Sequence, residues 1–148
     1  MAMTIRVDIV SMERPIFSGE ASFVSIPTEA GEMGITPMHT QTLAILRPGE
    51  VRVHLTDGSV VRYYVGFGVL EVQPMVVSVI ADWALTEADA HGIDANELEA
   101  TLAEESVYMH DYEQRGQLDF TSAQSIMIEA SERLKWVRSM RGLGGGRH

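Results

Sequence analysis

Apolar and polar residues alternate along most of the first half of the chain. In residues 4–10, Ile5, Val7 and Ile9 fall on one side and Thr4, Arg6 and Asp8 on the other, the pattern of a half-buried strand. Pro15 and Ser18-Gly19 punctuate the next piece, and residues 21–26 predict a second strand closed by Pro27. Residues 41–46 form another apolar run, ended by the turn signal Arg47-Pro48-Gly49. Residues 50–56 are the clearest strand: Val51, Val53 and Leu55 make one face, and Glu50, Arg52, His54 and Thr56 the other. Asp57-Gly58 suits a two-residue type I′ hairpin, with residues 59–65 returning as its partner. Residues 66–72 predict a strand bent at Gly66 and Gly68, and residues 76–81 the last strand. Short strands at regular spacing imply a β-sandwich or flattened barrel.

After Thr86 proline disappears and the apolar period changes from 2 to about 3.6. Asp94, with Glu97 three residues on, reads as a helix start. The first helix is expected to reach Tyr112, with Ala95, Leu98, Leu102 and Met109 on its apolar stripe. Gly116 marks a break, and Asp119 caps a second helix with Phe120, Ala123, Met127, Ala130, Leu134 and Val137 on one face. Helices joined this closely predict an antiparallel hairpin about 30 Å long. Its register pairs Tyr112 with Phe120, Leu102 with Ala130 and Leu98 with Leu134, and brings Asp94 and Glu97 near Arg138. Trp136 and Met140 fall on the face turned away from that seam, there to pack on the sandwich or to await another partner. The fold class is therefore an N-terminal β-sandwich, residues 1–85, followed by an α-helical hairpin, residues 86–141. A disordered tail is expected over residues 142–148.

The stretch Gly31-Glu32-Met33-Gly34-Ile35-Thr36-Pro37-Met38-His39 lies between strand patterns without reading as strand itself. Its glycines and Pro37 predict a shaped surface loop that presents Glu32, Met33 and His39. The plainer reading is a decorated hairpin connection.

Composition removes several function classes. The formal charge of −10 argues against nucleic acid, whose phosphates need a basic surface. With no cysteine there is no disulfide, thiolate metal site or Cys nucleophile. Five separated histidines show no H-x-H or H-E-x-x-H spacing, no serine lies in G-x-S-x-G, and no phosphate loop occurs. No catalytic residue, cofactor or metal is expected. There is no signal-peptide pattern and no apolar run of the ~18 residues that a membrane span needs. The first helical stretch is acidic, whereas Arg133, Lys135, Arg138 and Arg141 close the second, where cations complement the helix dipole.

Phe17-Ser18-Gly19, the loop Gly31-Glu32-Met33-Gly34-Ile35 with Pro37 and His39, Arg47-Pro48-Gly49, and Gly66-Phe67-Gly68-Val69-Leu70-Glu71-Val72 occur together in this order. The chain resembles the epsilon subunits of bacterial rotary, proton-translocating ATP synthases, most specifically over the sandwich. The resemblance implies a non-catalytic central-stalk subunit at the cytoplasmic face of the bacterial plasma membrane. Its partners would be the gamma subunit, through Ser11, Met38, Thr42 and Ala44, and the c-subunit ring, through Glu32, Met33 and His39. It also implies that the hairpin can reach the alpha/beta head and inhibit ATP hydrolysis, through Arg133, Lys135, Trp136, Arg138 and Arg141. One departure matters: nucleotide-binding relatives carry Arg-Ala where Glu97 and Leu98 stand here after Ile93-Asp94, and a carboxylate repels phosphate, so ATP binding is not expected. Two other classes fit the strands alone. One is a stand-alone β-sandwich binding module with a helical dimerisation tail; the other is a cupin-like metal enzyme, whose ligands are missing from the sequence.

Overall fold

The alternating run near the start of the chain becomes β1 (Ile5–Ser11), whose Ile5, Val7 and Ile9 are wholly buried while Arg6 and Val10 face out. The structure is a computed structural model; it describes residues 3–93, 96, 97, 99, 100, 103, 104 and 120–144, with side chains of the last helix over 130–142. The strands that follow are β2 (Pro15–Thr28), β3 (Gly31–Ile35), β4 (Thr42–Leu46), β5 (Gly49–Leu55), β6 (Val60–Val65), β7 (Gly68–Val72), β8 (Val76–Ala81) and β9 (Ala84–Leu85). The chain divides into two compact units, Met1–Glu87 and Ala88–His148.

In the first unit, one layer runs β4-β7-β8-β1-β2, with β1 and β8 parallel and its other pairs antiparallel. The other layer runs β3-β2-β5-β6-β9. β2 serves both layers. Its first half pairs with β1, its second half with β3 and β5, and its register shifts between Ala21 and Phe23 where it passes across. The core between the layers is aliphatic and includes Val7, Ile9, Val24, Ile26, Val51, Val53, Leu70 and Val79.

Several details depart from the sequence expectations. Pro27 does not close β2, because its carbonyl accepts from Arg47 N at 3.2 Å. Its missing N–H points to the same side, where pairing with β5 has already ended at Ser25. Residues 31–35 are strand, paired with β2 from Thr28↔Gly31 to Val24↔Ile35, so tertiary pairing overrides the two glycines. The Asp57-Gly58 hairpin is not type I′, since Gly58 takes a positive φ (88°) and Asp57 does not. Leu55 N donates to Ser59 O, so Thr56, Asp57 and Gly58 together span the strands, and Asp57 Oδ1 accepts from Ser59 N at 2.9 Å. At Gly68, which pairs with Ala81, a Cβ would strike the Ile80 carbonyl; that close approach explains the glycine. Residues 76–81 are not the last strand, because β9 follows and pairs with Tyr64 and Val65 of β6.

At the boundary between the units, α1 (Glu87–Gly92) starts ahead of the expected helix start, with Thr86 before it and Asp89 three residues on in the order of a capping box. Residues 96, 97, 99, 100, 103 and 104 are helical, and α2 (Phe120–Gly144) is the long element. Arg138 Nη2 lies 2.5 Å from Glu99 Oε2, and Arg141 Nη2 donates to the Ile93 carbonyl, so the two segments run antiparallel. The arginine at 138 thus meets Glu99. Asp94, Ala95, Leu98, Leu102, Met109, Tyr112, Gly116 and Asp119 lie outside the described residues, as do the side chains of Phe120, Ala123 and Met127. Trp136, Val137 and Met140 are buried and Leu134 is half-buried. α2 continues through Gly142 and Gly144, where a disordered tail was expected.

Candidate functional site

The outer face of the first layer carries an apolar row that crosses five strands. Ile45 pairs with Val69, Val69 with Ile80, Ile80 with Val10, and Val10 with Pro15. All five side chains are exposed; Ile45, Val69, Ile80 and Val10 are 53, 42, 47 and 37% open. Strand spacing makes the row about 19 Å long. Leu43 lies on the same face of β4, and the exposed Phe67 and Met12 follow at the strand ends. The inward neighbours of the row, Leu46, Leu70, Val79 and Ile9, are in the core. Apolar side chains on both faces of one layer mean that the outer face is meant to be covered.

Beside the row sits a polar cluster. The Ser18 hydroxyl donates to Asp8 Oδ1 at 2.6 Å and accepts from Arg6 Nη2 at 2.6 Å, and Arg6 Nε lies 3.3 Å from Asp8 Oδ2. The Ser18 hydrogen bond and the Arg6 guanidinium hold the Asp8 carboxyl below the usual aspartate range, against a smaller opposing effect of burial. Thr4 Oγ1 donates to Glu20 Oε2 at 2.7 Å on the next positions.

The residues expected at a functional surface separate into distinct places. Glu32, expected free on a loop, is on β3 and engaged: its Oε1 accepts from the Ser25 hydroxyl and from Arg52 Nη2 at 3.0 Å. Met33 points inward and packs against the core. His39 lies beyond the other end of β3, in a turn of Thr36-Pro37-Met38-His39 closed by His39 N on Thr36 O at 3.3 Å. Three residue steps of strand, about 10 Å, separate Glu32 from Ile35 before that turn begins. The turn is type II in character, with Pro37 second and Met38 third at φ 66°, a position that favours glycine. Met38 is 61% exposed, and its amide is anchored to Pro74 O at 2.7 Å. Thr42 and Ala44 alternate with Leu43 and Ile45; they pair with the buried Val72 and Leu70 and so face inward. Ser11 caps the β1–β2 turn, its Oγ accepting from Glu13 N and Arg14 N. In α2, Arg138 and Arg141 are engaged as described above, Lys135 Nζ lies 3.4 Å from Glu132, and Trp136 is buried.

Sequence reading missed the outward members of the row. Their signal was present: the runs Ala44-Ile45-Leu46 and Val79-Ile80-Ala81 are apolar without alternation, which marks strands covered on both faces.

Comparison with known proteins agrees with this architecture. The family model for the ATP synthase delta/epsilon chain β-sandwich domain matches residues 4–87. The ATP synthase epsilon chain of Thioalkalivibrio sulfidiphilus is 43% identical over 142 residues, covering 95% of this chain and 97% of its own. That of Nitrosococcus oceani is 43% identical over 141 residues, again covering 95 and 97%. Among solved structures, a chain of the Euglena gracilis mitochondrial ATP synthase (OSCP/F1/c-ring) shares the fold with a TM-score of 0.71 at 22% identity, over 88% of this chain and 81% of that one.

Proposed function

The chain belongs to the ATP synthase epsilon chain family, non-catalytic stalk subunits of that enzyme complex, and on that premise we propose that it couples rotation of the c-ring and gamma subunit to ATP synthesis. The apolar row on the outer face of β4, β7, β8 and β1 carries this reading. A face of this length and composition suits a permanent protein contact, and gamma is the partner we assign to it. On β4 the contact then falls to Leu43 and Ile45, the outward neighbours of Thr42 and Ala44, with Ser11 beside Val10 and Met38 at the far end of the same strands. Glu32, at the β2–β3 turn end of the other layer, is assigned to the c-ring, with His39 beyond the opposite end of β3. The sandwich of residues 1–85 supplies both contacts. The chain sits peripherally at the cytoplasmic face of the bacterial plasma membrane; no helix among the described residues is long and apolar enough to cross it.

The C-terminal hairpin is assigned a regulatory role, in which the cations of α2 reach acidic surfaces of the alpha/beta head and restrain ATP hydrolysis. In the described conformation Arg138 and Arg141 are occupied by Glu99 and the Ile93 carbonyl, so this arm of the function requires those contacts to open first. Co-expression with gamma followed by size-exclusion chromatography tests the central assignment. A stoichiometric complex is expected; a homodimer indifferent to gamma would replace the stalk reading with that of a free binding module.

A further inference from the structure

The outer face of the second layer carries a ladder of alternating charge. Glu32 Oε1 accepts from Ser25 Oγ and from Arg52 Nη2 at 3.0 Å. Arg52 Nε lies 3.2 Å from Glu50 Oε1, a charge contact without hydrogen-bond geometry, and Arg62 Nε lies 3.7 Å from the same oxygen. These side chains come from β2, β3, β5 and β6, and the ladder contains two acids and two bases. Three observations separate Glu32 from an ordinary surface carboxylate. Both of its bonds fall on one oxygen, while Oε2 takes no hydrogen bond among the described residues. One of its partners, Ser25, is only 6% exposed and is thus anchored in the sheet. The Glu32 side chain is nonetheless 56% open. One carboxylate oxygen is thus held from below, on a side chain that is more than half open.

We propose that Ser25 and Arg52 are positioning residues that present Glu32 Oε2 as a pre-oriented acceptor to a donor-bearing surface, an arginine, lysine or side-chain amide. The inference rests on the assignment of Glu32 to the c-ring and names the chemistry that the ring must offer there. Because Arg52 neutralises Glu32 locally, attraction between net charges is weak at this spot, and a directed hydrogen bond does the recognising. Fixing the side chain before contact removes the cost of immobilising it at docking.

The test titrates the complex of the full chain and gamma onto detergent-solubilised c-rings, with Ser25→Ala, Arg52→Gln, Arg52→Lys and Glu32→Ala variants. Glu32→Ala is expected to weaken ring binding most. Ser25→Ala and Arg52→Gln each should weaken it about two- to tenfold, the range set by immobilising one rotamer-rich side chain. In the Glu32→Ala background neither is expected to weaken it further, and Arg52→Lys should restore most of the loss. Thermal midpoints of the free chain should stay within a few degrees, because exposed ion pairs contribute little to stability. Equal losses with and without Glu32, or tighter binding by Arg52→Gln, would overturn the positioning role and leave the ring assignment standing. Unchanged binding by Glu32→Ala would instead overturn the ring assignment and this inference with it.

Discussion

Ile80→Asp separates docking from folding on the apolar row. Ile80 is 47% exposed, and its strand neighbours Val79 and Ala81 are buried. Fully burying an isoleucine side chain contributes about 1.5–3 kcal/mol, so covering the open half of Ile80 contributes about 1 kcal/mol to a complex. Ile80→Ala should therefore weaken gamma binding about fivefold. Aspartate adds an unpaired carboxylate at the centre of the contact, with a desolvation penalty of several kcal/mol. The sum, about 4 kcal/mol, corresponds to a dissociation constant raised about a thousandfold. In the free protein the carboxylate stays in water and costs about 1 kcal/mol of strand propensity, too little to unfold a domain of ordinary stability, about 5–15 kcal/mol. Val79→Asp is the contrast: one residue away and wholly buried, it should unfold the sandwich. Isothermal titration with gamma, beside thermal melts of each variant, reads both quantities. Wild-type affinity in Ile80→Asp, or a melt as early as that of Val79→Asp, would refute the assignment of this face.

Deleting residues 119–148 is expected to raise ATP hydrolysis by the assembled enzyme and to leave synthesis nearly intact, whereas Glu99→Gln, which takes away the partner of Arg138, should deepen inhibition; steady-state hydrolysis assays on membranes check both, and no change in either makes the hairpin a strut. Met38→Gly should stabilise the sandwich by about 0.5–1 kcal/mol, because glycine adopts the positive φ without strain, and a melt that falls instead would mean the Met38 side chain packs usefully in the free chain. Asp8 has a folded pKa below its unfolded one, so its contribution is fully present above the ordinary aspartate value near 4 and is lost as pH falls through the lowered folded value. Asp8→Asn should accordingly flatten the acid limb of stability against pH, and an unchanged limb in denaturant melts would show that the Ser18 and Arg6 contacts are not held in solution.

The alternation of apolar residues determined most of the sandwich. Ile5, Val7 and Ile9, and likewise Val51 and Val53, could only be core in strands of that period, and the turn residues divided the strands nearly where they end. Alternation assigns residues to one side or the other, but it cannot say which neighbour covers that side. Residues 31–35 read as loop because their glycines lack propensity, and only the pairing with β2 makes them strand. Pro27 stays inside β2 because, on the side its N–H would face, pairing with β5 has ended at Ser25, and its carbonyl still accepts there from Arg47 N. In the runs around Ile45, Val69 and Ile80 both faces are apolar, so sequence alone could not tell which apolar residue faces the core and which stands open; the register across β4, β7, β8 and β1 decides it. The bond between Glu32 and Arg52 joins residues 20 apart in the chain, and no local pattern encodes a contact that exists only once β3, β2 and β5 lie side by side.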